Sequence, residues 1–197
     1  MKRILILLSV CLLAFNGIAQ DKAKFSENDI KQFYRTIQGD YTGHIGDSSM
    51  LSIHFTPIWE TEKDPFRWFY LEATNQKTQA IVVQKVLEIK PLTEITFQVC
   101  VYNLKSPKVF EGKWSNRNFF DGYNASILKG KKKFTFLKTK DYEYQTGWNR
   151  RKSFDCFPSG DRIHFKFSQE DERLYIKRVP SRSSHIIGYT FFNALTD

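Results

Sequence analysis

Glu72 is the one acid in the run FRWFYLEAT, residues 66–74, and strand alternation sets it on one face with Phe66, Trp68 and Tyr70. A carboxylate at the end of a flat aromatic wall can anchor the polar end of an amphipathic ligand. It can also serve as a general acid where apolar burial or a second acid favours its protonated form. Glu72 is therefore the catalytic candidate, and Phe66, Trp68, Tyr70 and Glu72 are expected to line the inside of a barrel as a ligand-binding wall. The competing reading puts Glu72 at a barrel end, paired with a Lys or Arg, with the aromatic rings simply filling core.

Other chemistries have less support. His44, His54, His164 and His185 lack the short spacings of a metal site, so no metal is expected. No Gly-x-Ser-x-Gly elbow accompanies them, which leaves serine–histidine–acid catalysis without a motif. The stretch KGKKKFTFLKTK, with WNRRK after it, is basic and aromatic. Lys129, Lys131, Lys132 and Lys133 could hold a polyanion such as a phosphate backbone or anionic lipopolysaccharide, without sequence-specific recognition of nucleic acid. A solvated hairpin is the simpler reading, and a homodimer is left open.

These residues sit in a chain of 197 residues with formal net charge +9, long enough for one domain with its own core. The opening MKRILILLSVCLLAFNGIAQ has two cations before an apolar run too short to span a bilayer, the pattern of a signal peptide. Cleavage after Ala19 follows from the small residues Gly17 and Ala19. Residues 1–19 are then the signal peptide and 20–197 one exported domain, secreted or periplasmic. A lipoprotein reading at Cys11 is disfavoured by the bulky Val10 before it. Only Cys100 and Cys156 remain after processing; a bridge is compatible with an oxidising compartment, but two separate thiols are expected, since Cys100 falls mid-strand and Cys156 in a turn.

One helix comes first: Ser26 can cap it, Ile30, Phe33, Tyr34 and Ile37 share a face, and Gly39 ends it. Beyond it the period is two, and turn signals recur at short intervals. Strands are predicted at 40–45, 50–58, 66–74, 80–89, 94–103, 109–114, 132–138, 142–148, 161–168, 173–179 and 186–192. In AIVVQKVLEI, Ile81, Val83, Leu87 and Ile89 are expected on one face and Val82, Gln84, Val86 and Glu88 on the other, a strand with two partly apolar surfaces that suits a barrel. The predicted fold is all-β, a closed calycin- or lipocalin-like antiparallel barrel of about ten strands with an N-terminal helix. A sandwich is the alternative.

The helix followed by IQGDYTG, LSIHFTPIWE and FRWFYLEAT, then KVFEGKW, FFDG, a Lys-rich strand and a final GYTFF, resembles the T-type phycobiliprotein (CpcT/CpeT) chromophore lyases over nearly the whole mature chain. The closest likeness is to exported members of that family. The resemblance implies a calycin-like barrel and, in the pigment-making members, attachment of a linear tetrapyrrole to a cysteine of an antenna protein. Glu72 keeps the family's acid. Val83 stands where the family has its first arginine, suited to a bilin propionate, so that Gln84 and Lys85 complete the candidate ligand set and only Lys85 could replace that cation. Gly130-Lys131 replaces a Gly-Cys pair, and Tyr175-Ile176-Lys177-Arg178 replaces a Trp-Asp-Arg-Gly element. The expectation is binding of a small amphipathic ligand, tetrapyrrole-like by resemblance, without covalent transfer and with no other cofactor. The rival is a non-catalytic envelope scaffold that uses its basic surface.

Overall fold

The computed structural model describes residues 27–45, 49–61, 67–140, 143–146, 162–168, 173–179 and 187–193. Helix α1, Glu27–Ile37, carries Glu27 and Asp29 in its first turn and Arg35 in its last, charges placed to suit the helix dipole. Gly39, at φ +142°, turns the chain out of the helix, a conformation only glycine adopts without strain. Ten strands follow: β1 (Gly39–Ile45), β2 (Ser49–Ile58), β3 (Trp68–Asn75), β4 (Ile81–Thr93), β5 (Thr96–Leu104), β6 (Leu128–Lys140), β7 (Glu143–Thr146), β8 (Arg162–Ser168), β9 (Arg173–Val179) and β10 (Ile187–Asn193). Each pairs antiparallel with its sequence neighbours, and β1 closes the ring on β10. A closed barrel leaves no sheet edge to pair with another chain, and the expected all-β barrel with an N-terminal helix is the fold observed.

Alternation sends Tyr41, Leu51, Ile53, Phe55, Phe69 and Leu71, among others, into the barrel. Helix α1 closes the end from which β1 departs. Its Phe33 is fully buried and stacks on Phe97 at 4.3 Å between centroids, with the edge of Tyr144 at 4.7 Å. The void left among Ile37, Phe55, Leu87, Val99 and the neighbouring phenylalanines measures about 10 Å³, no more than one water's probe volume. In this part the barrel is a packed core.

A second apolar cluster lies outside the ring. The connection between β5 and β6, residues 105–127, runs as four short 3-10 turns, Pro107–Phe110, Lys113–Ser115, Arg117–Gly122 and Ala125–Ile127. It forms a strap laid over the outer faces of β2, β3 and β4. Phe110 and Phe120 of the strap pack with Ile58, Tyr70, Val86 and Leu104, and the Lys105 amide donates to the Ile127 carbonyl at 2.9 Å to close its base.

Two expectations are corrected by this arrangement. Residues 109–114 form 3-10 turns and not a strand, because Pro107 pre-sets a turn and Gly112 adopts φ +68°. The Trp68, Tyr70, Glu72 face points out of the barrel, under the strap, while Phe69, Leu71 and Ala73 point in. Both faces of β3 are buried, so alternation separates the two sets without saying which is inside. Packing decides, since a wholly apolar Phe-Leu-Ala row suits a closed interior, whereas Tyr70 and Glu72 need partners that the strap's backbone supplies. Phe66, Ser26, Cys156 and His185 lie outside the described residues.

Phe33→Ala should remove the stacked ring that plugs the barrel and cost about 3–5 kcal/mol. A urea melt should show the midpoint falling with the slope unchanged.

Candidate functional site

Strand register lines up four polar side chains across the outer sheet. Asp40 of β1 pairs with His54 of β2, His54 with Glu72 of β3, and Glu72 with Gln84 of β4. Residues directly opposite share a face, so an acid, an imidazole, a second acid and an amide form one row beneath the strap.

His54 Nδ1 lies 2.8 Å from Asp40 Oδ1. A carboxylate can only accept, so Nδ1 carries the proton, and whenever the ring is neutral Nε2 is its acceptor. The ring stacks on Trp114 of the strap at 3.5 Å between centroids and 6° between planes. Thr56 donates to the Trp114 carbonyl at 2.8 Å and fixes that indole in place.

Glu72, 1 % exposed, faces a strap amide: Gly112 N–H reaches its Oε1 and Oε2 at 3.2 and 3.0 Å. The left-handed backbone at Gly112 aims that amide inward; a Cβ there would meet no atom within 4 Å, so conformation and not space requires the glycine. Tyr70 joins the network through its hydroxyl. It lies 2.6 Å from Glu72 Oε2 and 2.7 Å from the Phe110 carbonyl, and receives Gln84 Nε2 at 2.6 Å. Burial first, then the hydrogen bond to Glu72 and its charge, pushes the Tyr70 phenol far above its ordinary range, so the hydroxyl stays protonated and its one proton lies between two acceptor oxygens.

Beside this row opens a groove of about 650 Å³, within the usual range for small-molecule sites. Glu72 and His54 reach it from the floor, Trp114, Glu111 and Gly112 from the strap, and Gln76 and Ile81 from the turn between β3 and β4 and its exit. Among the described residues, neither Lys nor Arg lines it.

The second buried carboxylate on the outer face is built differently. Glu88 receives Arg67 Nε at 3.0 Å, Lys90 Nζ at 3.0 Å and the Tyr102 hydroxyl at 2.8 Å, with Lys131 Nζ at 3.8 Å. Burial works to raise its affinity for protons, but the Arg67, Tyr102 and Lys90 hydrogen bonds and the Lys90 charge outweigh it and hold the carboxyl below its ordinary range.

The sequence-predicted set is thus only partly brought together. Trp68, Tyr70, Glu72 and Gln84 share the outer face, but Trp68 sits one step from the groove, packed near Trp59 and Tyr102. Lys85 pairs with Leu71 and so lies on the inward face, where its Nζ reaches Asn103 Oδ1 at 2.5 Å; it cannot serve the same ligand as Gln84 through one face of β4. Glu72 has no Lys or Arg partner among the described residues, contrary to the competing expectation. The lysine run is likewise divided. Lys131 and Lys133 share the outer face while Lys132, opposite the buried Val101, takes the other, so alternation breaks the cluster into separate cations. Cys100 is a buried free thiol, and no group of three His, Cys, Asp or Glu among the described residues could hold a metal.

His54 and Asp40 were missed by residue spacing. They are fourteen positions apart, and only the β1–β2 register joins them. Searched against models of known protein families and against curated proteins, the chain matches none of either.

Tyr70→Phe should strand the Phe110 carbonyl and the Gln84 amide in buried surroundings and cost about 1–3 kcal/mol, measured by chemical denaturation. Glu88 has a folded-state pKa below its unfolded value, so it stabilises the fold above that unfolded value and loses the contribution as pH falls through the folded one. Melting temperature should therefore fall on acidification below about pH 4.5, and less steeply in Glu88→Gln.

Proposed function

We propose that the protein is an exported binder of a small amphipathic ligand, a diverged relative of the T-type chromophore lyases that holds its ligand without covalent transfer. The observation that carries this reading is the outer groove. A buried carboxylate and a buried imidazole meet at its floor, and an indole clamped by Thr56 forms its wall. A strand and strap built only for packing have no need of a polar row opening onto a cleft of this size.

Two features argue against a native bilin as ligand. Among the described residues, the packed interior around α1 leaves a void of only about 10 Å³, and no cation lines the groove to receive a pair of propionates. Ligands without paired carboxylates suit it better. The packed interior around α1 and the exposed Lys129, Lys131, Lys132 and Lys133 favour a second reading, an envelope scaffold holding a polyanion or a protein partner through its basic surface.

Calorimetric titration with linear tetrapyrroles, haem and neutral amphipathic compounds separates these readings. Neutral amphiphiles should bind at least about tenfold more tightly than the dicarboxylate pigments. Ala80→Trp, at an exposed turn residue lining the groove, should abolish that binding while leaving the melting temperature within about 1–2 °C. Binding that survives Ala80→Trp, or a covalent pigment adduct, would sink the proposal; heat released only by polyanions would put the scaffold in its place.

A further inference from the structure

We infer that the outer groove selects a primary ammonium group carried on an apolar body, an inference that rests on the ligand-binding reading proposed above. The Glu72 carboxylate and, in the neutral ring, His54 Nε2 are acceptors on the groove's floor, beside the Ser52 and Thr74 hydroxyls, which can donate or accept. Glu72 is 1 % exposed and His54 7 % exposed. Asp40 occupies His54 Nδ1, and among the described residues nothing occupies Nε2. The two side chains are direct cross-strand partners and both line the groove, so a single ligand group at the floor has both within its surroundings.

Charge points the same way. Glu111 adds a second carboxylate at the strap side of the groove, and among the described residues no cation lines it, although the chain as a whole carries +9. The contrast with Glu88 is informative: that carboxylate is equally buried and has Arg67, Lys90 and Lys131 around it. Glu72 has an amide and a phenol but no positive charge among the described residues. An ammonium supplies the three donors and the charge that Glu72 and His54 Nε2 can take up together. The rest of such a ligand would lie along Ile81, Ala80 and the free part of the Trp114 ring. An anionic group at the same spot would meet two carboxylates, and a neutral hydroxyl would forgo the charge-assisted bond.

The test uses three matched probes, 2-phenylethylamine, 2-phenylethanol and 3-phenylpropanoate, titrated into the 15N-labelled protein while the Gly112 amide and Trp114 indole signals are followed by NMR. The amine should move both signals and bind about tenfold more tightly than the alcohol, with the acid weaker still. Glu72→Gln should bring the amine-to-alcohol ratio close to one. Glu111→Gln, at an exposed side chain, should lower that ratio about twofold and keeps the question answerable if Glu72→Gln fails to fold. Alcohol or acid binding at these signals as tightly as the amine overturns the charge selection and leaves the groove as a binding site. If no probe moves either signal, the groove reading falls with it.

Discussion

A strand buried on both faces must find two cores, and β3 does so. Its Phe69, Leu71 and Ala73 complete the barrel interior, while Trp68, Tyr70 and Glu72 would leave a large aromatic surface in water if nothing covered them. The strap exists to meet that demand. The outer side chains of β2 and β3, with Trp59 just beyond β2, hold it by its backbone: Thr56 to the Trp114 carbonyl, Trp59 to the Phe120 carbonyl, Tyr70 to the Phe110 carbonyl and Glu72 to the Gly112 amide. Irregular backbone carries polar groups that a sheet would have paired internally, and side chains of the barrel satisfy them here. The groove lies beside this cover, between Glu111, Gly112 and Trp114 of the strap and the His54 and Glu72 of the row.

Two buried carboxylates on one outer surface show how surroundings divide labour between like residues. Glu88 is neutralised several times over, and a carboxylate so surrounded is a structural ion pair network that resists protonation. Glu72 is held in position by neutral donors. Position without neutralisation is the condition under which a buried acid can still attract a cation from outside.

The architecture was legible because its signals are local. The period-two pattern in RIHFKFS places Phe165 and Phe167 inward as read, and AIVVQKVLEI divides from Val83 on into an inner Val83, Leu87, Ile89 and an outer Val86, Glu88. The register shift at Ala73/Thr74 reverses its start, putting Ile81 in the outer groove and Val82 against the inner cluster. The helix face of Phe33, Tyr34 and Ile37 is also as expected. The site was legible only in part, for a reason of geometry. Alternation names two faces but carries no sign, and where both are aromatic the inside is chosen by packing across the barrel. Glu72 could thus be singled out while its surroundings were assigned to the wrong side of the wall. The pairing of His54 with Asp40 depends on register between strands, which residue types alone leave open, and the strap's 3-10 turns are set by Pro107 and Gly112 against a background that otherwise alternates well enough to pass for a strand.

The Lys105–Ile127 bond at the strap's base makes residues 105–127 a cassette. Both ends of the segment meet at one point between β5 and β6, so its length and composition can change without altering the pairing of any strand. Trp114, Glu111 and Gly112 all belong to this cassette, whereas His54 and Glu72 belong to the wall. On the binding reading proposed above, rewriting this one loop would change the groove's wall while strand pairing and the packing around α1 stay in place, provided the new loop still offers Tyr70 and Glu72 the carbonyl and amide they bond. The same division offers a route for design: exchange the strap, retain the row beneath it, and specificity becomes a property of some two dozen residues, about an eighth of the chain.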